Sequence, residues 1–155
     1  MIPDWPISLA IIMIKVFFDT NVLVDYFMEE RPHHDQALTI FSAAKSHRFE
    51  VVITTQSILD AAYIATGRKS GVNPDGFKKA ILYMLNYLNI SHIDTFEIRD
   101  ALLAPDADIE DNAQYVHAMT EACDVLITGD REFIQRKTPG DILMMTPEEF
   151  VARMR

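Results

Sequence analysis

The chain reads as an α/β protein, a three-layer α/β/α sandwich around a central parallel sheet of about five strands. Three observations predict this. Short apolar runs at 14–18, 49–54, 89–93, 124–128 and 142–145 alternate with stretches of helical periodicity, the pattern of repeated strand–helix units. The first run carries no charge except Lys15, as expected of a strand covered on both faces. A length of 155 residues, with 49% hydrophobic and 24% charged residues, is the size and composition of one globular domain with its own core.

In chain order, the strand from Ile14 to Phe18 stops at Asp19, and Asn21 to Met28 reads as a short helix. Glu29-Glu30-Arg31-Pro32 breaks it, since the residue before proline is steered away from helix. A second helix opens at His33-His34-Asp35, with Ala37, Ile40, Phe41 and Ala44 on one face. Val51-Val52-Ile53 centre the second strand. Thr54 or Thr55 then caps a helix over 56–66, expected to bury Ile58, Leu59, Ala62 and Ala65. Asn73-Pro74 starts the next helix, with Phe77, Ile81, Met84, Leu85 and Leu88 inward. After a short strand over 89–93, Asp94-Thr95-Phe96-Glu97 is a capping box for a helix to about Leu103. Asp108 opens a helix with Val116, Met119 and Cys123 inward. The strand over 124–128 leads through Gly129-Asp130 into a short helix ending near Ile134. The strand over 142–145 precedes a last helix capped at Thr146.

The bulk numbers exclude several classes. A formal net charge of −9 argues against nucleic-acid binding through a broad basic face, though not against a local basic groove. The single Cys123 cannot form an internal disulfide, which suits a reducing cytoplasm. The apolar stretch over 7–14 is shorter than the roughly 20 residues that span a bilayer. Asp4 stands where a signal peptide would carry basic residues. The expectation is therefore a cytoplasmic protein with no membrane association. One domain is expected over 13–155, with 1–12 either a true extension or a misassigned start ahead of Met13.

Four carboxylates stand out by position. Asp19 ends the first strand, Asp60 lies one turn into the helix after the second, Asp111 lies in the first turn of a later helix, and Asp130 follows the fourth strand. With parallel strands all four lie at one edge of the sheet, the edge where ligands bind in open α/β folds. Gathering carboxylates is unfavourable unless a cation or protons neutralise them, and all-oxygen sites suit Mg2+ or Mn2+. Each acid also has a plain structural reading. Asp130 can cap its short helix, Asp111 can complement a helix dipole beside the cap Asp108, and Asp60 can face solvent. Asp19 resists such a reading, because a carboxylate beside an apolar strand is costly unless paired or exposed in a cleft.

Three segments carry a family resemblance: Val16-Phe17-Phe18-Asp19-Thr20-Asn21-Val22-Leu23, Asp108-Ile109-Glu110-Asp111-Asn112-Ala113, and Asp124-Val125-Leu126-Ile127-Thr128-Gly129-Asp130-Arg131-Glu132-Phe133. In this order and spacing the chain resembles PIN-domain proteins of the kind found in VapC-type toxins. The resemblance implies an Mg2+- or Mn2+-dependent ribonuclease, with Asp19, Asp111 and Asp130 as metal-site acids and Asp60 as a further catalytic acid. Thr128 would be a hydroxyl supporting those acids, and Thr20 and Asn21 would line the site. It also implies a homodimer and, for a toxin of a type II pair, a small antitoxin as partner. The family commonly has Glu where this chain has the shorter Asp60, which leaves open a non-catalytic PIN-like module that binds RNA or protein. Arg68, Lys69 and Arg131 are candidate contacts to RNA phosphates, with Lys78, Lys79, Arg136 and Lys137 as further cations; a solvated face is the plain reading of each.

Rival constellations are weaker. A haloacid-dehalogenase-like phosphatase needs a second Asp two residues after the first, and Asn21 stands there. No glycine-rich phosphate loop with lysine exists. His33-His34-Asp35 lacks zinc-type spacing and reads as a solvated helix start. Tyr83 and Tyr87, one turn apart, read as a helix–helix or subunit contact rather than a stacking platform for bases.

Overall fold

The computed structural model describes residues 13–67, 69–137, 140 and 142–154. The expectation for residues 1–12, and the candidate Arg68, lie outside them. Among the described residues the chain runs β1 (Lys15–Phe18), α1 (Thr20–Phe27), α2 (His34–Lys45), β2 (Glu50–Thr54), α3 (Thr55–Ala65), α4 (Pro74–Met84), β3 (Leu88–Ser91), α5 (Thr95–Leu103), α6 (Ile109–Thr120), β4 (Val125–Ile127), α7 (Arg131–Arg136), β5 (Leu143–Met145) and α8 (Pro147–Met154). The five strands pair in parallel in the order β3-β2-β1-β4-β5. The order reverses between β1 and β4, so the crevice of the doubly wound sheet opens beyond Phe18 and Ile127.

Side-chain alternation along the strands builds the three layers. Val16 and Phe18 of β1, Val51 and Ile53 of β2, and Val125 and Ile127 of β4 join one core with Val22, Leu23, Ile40, Phe41, Ala61, Phe77 and Phe150. The intervening Phe17, Val52 and Leu126 join a second core with Ala118, Cys123, Phe133 and Ile142. Phe17 and Phe18 are both fully buried and point to opposite faces. Truncating either to alanine would cost about 3–5 kcal/mol.

The cap signals act as read. Thr54 Oγ1 accepts from the Ser57 N–H, Asn73 caps α4 with Pro74 next, and Asp94 and Glu97 form the capping box of α5. Three inward faces differ from expectation. On α3 the buried residues are Ser57, Ala61 and Ala65, while Leu59 is 65% exposed. The cause is polar: the Ser57 hydroxyl bonds Thr20 and Thr54 in the interior, which turns the helix away from its apolar stripe. On α6 Met119 is half exposed and the inward positions are taken by Asp111, Gln114 and His117. On α4 Leu85 is exposed, and Leu88 opens β3 rather than extending the helix. β3 ends at Ser91, two residues before the expected Ile93.

A buried polar line explains the inward His117. Its Nδ1 lies 2.8 Å from Glu97 Oε1, its Nε2 lies 2.6 Å from Ser91 Oγ, and its ring packs edge-on against Phe17. The other Glu97 oxygen accepts from the Asp94 N–H at 2.7 Å. Each buried polar group is thereby matched, and α5, α6 and β3 are tied together.

Candidate active site

β1 delivers Asp19 to the crevice. Its backbone sits at the N-cap of α1 in an extended conformation, yet its side chain makes no capping bond. The carboxylate turns instead toward β4, where Thr128 Oγ1 donates to Asp19 Oδ2 at 2.7 Å. Thr128 is fully buried, and its hydroxyl accepts from the Asp130 N–H at 3.1 Å, so one hydroxyl joins two of the acids. Asp19 is only 4% exposed. Burial raises its pKa above the ordinary carboxylate range, against the pull of hydrogen bonds from Thr128, Gln114 and the Thr20 backbone; the charge of Asp130 adds to the rise.

Asp111 enters from the first turn of α6, its N–H bonded to Asp108 Oδ1 at 3.0 Å. Its pKa is pushed up to about 7, first by burial, then by the charges of Asp108 and Asp19, with Arg136 pulling the other way. Arg136 Nη2 donates to Asp111 Oδ2 and its Nε donates to Asp106 Oδ2 at 2.9 Å. Asp130 is exposed and caps α7, its Oδ1 accepting from the Glu132 and Phe133 N–H groups. Asp60 is partly buried and accepts from Gln56 Nε2 at 2.7 Å.

Two participants escaped the sequence reading. Glu110 has its pKa raised by burial and then by Asp19, Asp60 and Asp108, so it belongs to the same cluster. Gln114, almost fully buried, bonds Asp19, and its Oε1 has no partner among the described residues. The signal was available: positions 110 and 114 are one turn apart, as are 111 and 114, so all three share a helix face. On that face Asp111 stands out in the sequence by its position, and otherwise apolar residues mark the inward side of the helix.

The remaining candidates divide. Thr20 is buried and ties α1 to α3 through Ser57 at 2.7 Å. Asn21 is exposed beside Asp19, its Oδ1 accepting from Arg31 at 3.0 Å. Lys69 lines an open groove with Met28, Tyr63 and Ile64. Arg131 is largely exposed, 3.9 Å from Glu149. Among the described residues neither cation is paired with an acid of the cluster. His33 is no free helix start: its Nδ1 is 2.8 Å from Glu148, and its ring lies against Gly129, where an added Cβ would come within 2.9 Å of it.

Carboxylate and amide oxygens are hard donors, and their accumulated negative charge suits a hard divalent cation. The orphaned Gln114 Oε1 and the costly ionisation of Asp19 mark the place where such a charge would be welcome. Among the described residues no three acidic, histidine or cysteine side chains are already spaced to hold an ion. The donors fit in kind; water would have to complete their coordination.

A five-stranded parallel sheet whose switch point is lined by these acids defines a PIN-type α/β/α fold. A family model described as the PIN domain matches residues 15–132, and the chain belongs to that family. Ribonuclease VapC1 of Aquifex aeolicus is 28% identical over 144 residues, covering 90% of this chain and 94% of the relative. Among solved structures, the sarcin-ricin-loop-cleaving toxin VapC20 of Mycobacterium tuberculosis superposes with a TM-score of 0.63 at 11% identity, covering 80% of this chain and 96% of that one. VapBC2 from Rickettsia felis, bound to a DNA fragment from its promoter, gives a TM-score of 0.59 at 14% identity, with 86% and 98% covered.

Proposed function

We propose that this protein is a divalent-metal-dependent endoribonuclease that hydrolyses RNA phosphodiesters at the Asp19 cluster, and that it is the toxin of a type II toxin–antitoxin pair. One observation carries the reading: Asp19 is buried, held by Thr128 and set among like charges, an arrangement that costs stability and has no capping role to account for it. The PIN family membership and the ribonuclease relative support it. The Rickettsia VapBC2 neighbour supports an antitoxin partner.

Asp19, Asp111 and Asp130 would hold the cation, Mg2+ or Mn2+, with Glu110 and Asp60 beside them. When bound, the cation lowers the barrier to water attack and neutralises charge growing at phosphorus. Thr128 fixes the Asp19 carboxylate by donating to Oδ2, with Gln114 and the Thr20 backbone also bonding it. Asp111, with a pKa pushed up to about 7, can accept and release a proton near neutrality. Arg136 holds Asp111 through Oδ2 alone.

Protein partners are part of the reading. Leu59 and Tyr63 on α3, and Phe96, Leu102 and Leu103 on α5, are 59–85% exposed, more apolar surface than a lone chain needs to show. Such faces suit a homodimer contact and an antitoxin. Among the described residues no helix is long and apolar enough to cross a membrane, and the cytoplasm is the proposed compartment.

The test is cleavage of a mixed pool of structured RNAs with Mn2+, with EDTA, and by Asp19→Asn. Cutting that needs both metal and Asp19 supports the proposal; cutting that persists in Asp19→Asn sinks the evidence for this site. A second reading, a PIN-like binding module without turnover, draws on the Arg136–Asp111 ion pair, which neutralises one of the acids. RNA binding without cutting by metal-loaded protein would favour it.

A further inference from the structure

An RNA backbone approaching five carboxylates is repelled unless cations offset their charge, and a side chain held rigidly at the rim does this at a smaller entropic cost than a free surface lysine or arginine. Arg136 is engaged with Asp106 and Asp111, Lys137 Nζ donates to Asn112 at 2.7 Å, and Arg131 is 69% exposed with one contact at 3.9 Å. The turn between α1 and α2 supplies another. Arg31 Nε donates to Asp25 Oδ1 at 2.6 Å, and its Nη2 donates to Asn21 Oδ1 at 3.0 Å. Asp25 is 1% exposed, and its Oδ2 has no partner among the described residues. The guanidinium is thus its counter-charge and cannot leave without orphaning it.

The turn is pinned on both sides of the crevice. The Arg31 N–H donates to Met28 O and the His34 N–H to Arg31 O, each at 3.1 Å, while His34 Nδ1 lies 2.8 Å from Asp25 O. Next to it, His33 rests on Gly129, beyond the end of β4. Asn21 lies beyond the end of β1. The segment from Arg31 to His33 therefore meets the rim at β1 and at β4, the two strands of the switch point. A planar guanidinium has five N–H donors. Two are used, Nη1 stays uncommitted among the described residues, and the side chain remains 30% exposed.

We propose that Arg31, clamped between Asp25 and Asn21, is the phosphate-binding residue that seats the RNA backbone at the mouth of the acid cluster. This rests on the ribonuclease reading above. Arginine suits the task because its fork matches two phosphate oxygens and keeps its charge at every working pH. The buried Asp25 holds the fork in place before RNA arrives, so little side-chain freedom is lost on binding.

The test is binding of a fluorescein-labelled single-stranded RNA 12-mer pool with Mg2+ present, read by anisotropy across a salt series. Asp19→Asn is the non-cleaving parent. Adding Arg31→Gln is expected to weaken binding about tenfold and to reduce the slope of log affinity against log salt by about 0.7, one phosphate contact on a single strand. Because Arg31→Gln leaves Asp25 unpaired, Asp25→Asn/Arg31→Gln is measured alongside, with the same slope change expected in a protein relieved of the buried charge. In the Asp19 protein, Arg31→Gln should raise KM for cleavage while the thermal response to Mn2+ stays unchanged. A slope unchanged in both folded variants overturns the assignment of Arg31 alone. A parent protein that binds no RNA, together with Asp19 protein that cuts none, overturns the ribonuclease reading and this one with it.

Discussion

Replacing Asp19 with asparagine separates an acid placed for a cation from one placed for structure. The side chain is 4% exposed and its carboxylate is discouraged from ionising by burial and by Asp130. Asparagine keeps the shape and its side-chain oxygen still accepts from Thr128, and a flip of the Gln114 amide, which donates to Asp19 in the native protein, would turn its unpartnered Oε1 toward the new N–H group. At pH 8 in EDTA, removing a buried, repelled charge should therefore stabilise the protein by about 1–2 kcal/mol. In a chain of this length that raises Tm by roughly 3–6 °C. With Mn2+ at about 100 times its Kd, the Asp19 protein should gain about 2.7 kcal/mol and the asparagine variant little of it. Differential scanning fluorimetry of both proteins, with EDTA and across a Mn2+ series, reads all four states. Lower stability of Asp19→Asn in EDTA would show that the carboxylate earns its place structurally and refute the electrostatic argument. Equal Mn2+ responses would remove Asp19 from the cation site.

Other outcomes follow from the same geometry. Asp111 has its folded pKa raised to about 7 from an unfolded value near 4, so the folded state holds the extra proton between those values. Its contribution to metal-free stability is full below pH 4 and declines as pH rises to about 7, which chemical denaturation at pH 5 and pH 8 would detect; a flat profile would contradict the shift. Mn2+ affinity should move the opposite way, strengthening from pH 5 to pH 8 as the acids ionise, measurable by calorimetry. Gly129→Ala would set a Cβ 2.9 Å from the His33 ring, so cleavage should fall severalfold with at most about 1–3 kcal/mol of stability lost; wild-type activity would show that the His33 position is irrelevant. His117→Ala breaks the Ser91–His117–Glu97 line and leaves a cavity against Phe17, so urea denaturation should show a loss of about 2–4 kcal/mol, and a loss below 0.5 would deny the network its structural role.

How much of this was legible without a structure depends on how locally each feature is determined. The strands, helices and caps of the described residues follow from periodicities and short-range bonds within a few residues, as at Asp94-Thr95-Phe96-Glu97 and Asn73-Pro74. Placing Asp19, Asp60, Asp111 and Asp130 at one edge needed only the parallel topology, since every strand then ends on the same side. The helix faces are less legible. Apolarity points Leu59 and Met119 inward, but Ser57, Gln114 and His117 are buried in their stead because partners distant in sequence satisfy them.

The sequence by itself determined the class of fold and the ends of strands from which acids project, because alternation, capping and chain direction are local properties. Tertiary structure alone decided which acids feel one another and how each is engaged. It brought Glu110 into the cluster, laid Arg136 on Asp111, made Thr128 the link between Asp19 and Asp130, and folded the Arg31–His33 segment back over α1 to the rim. The reason is physical: desolvation and charge coupling depend on through-space separation across 25 to 109 residues of chain, which no local pattern encodes.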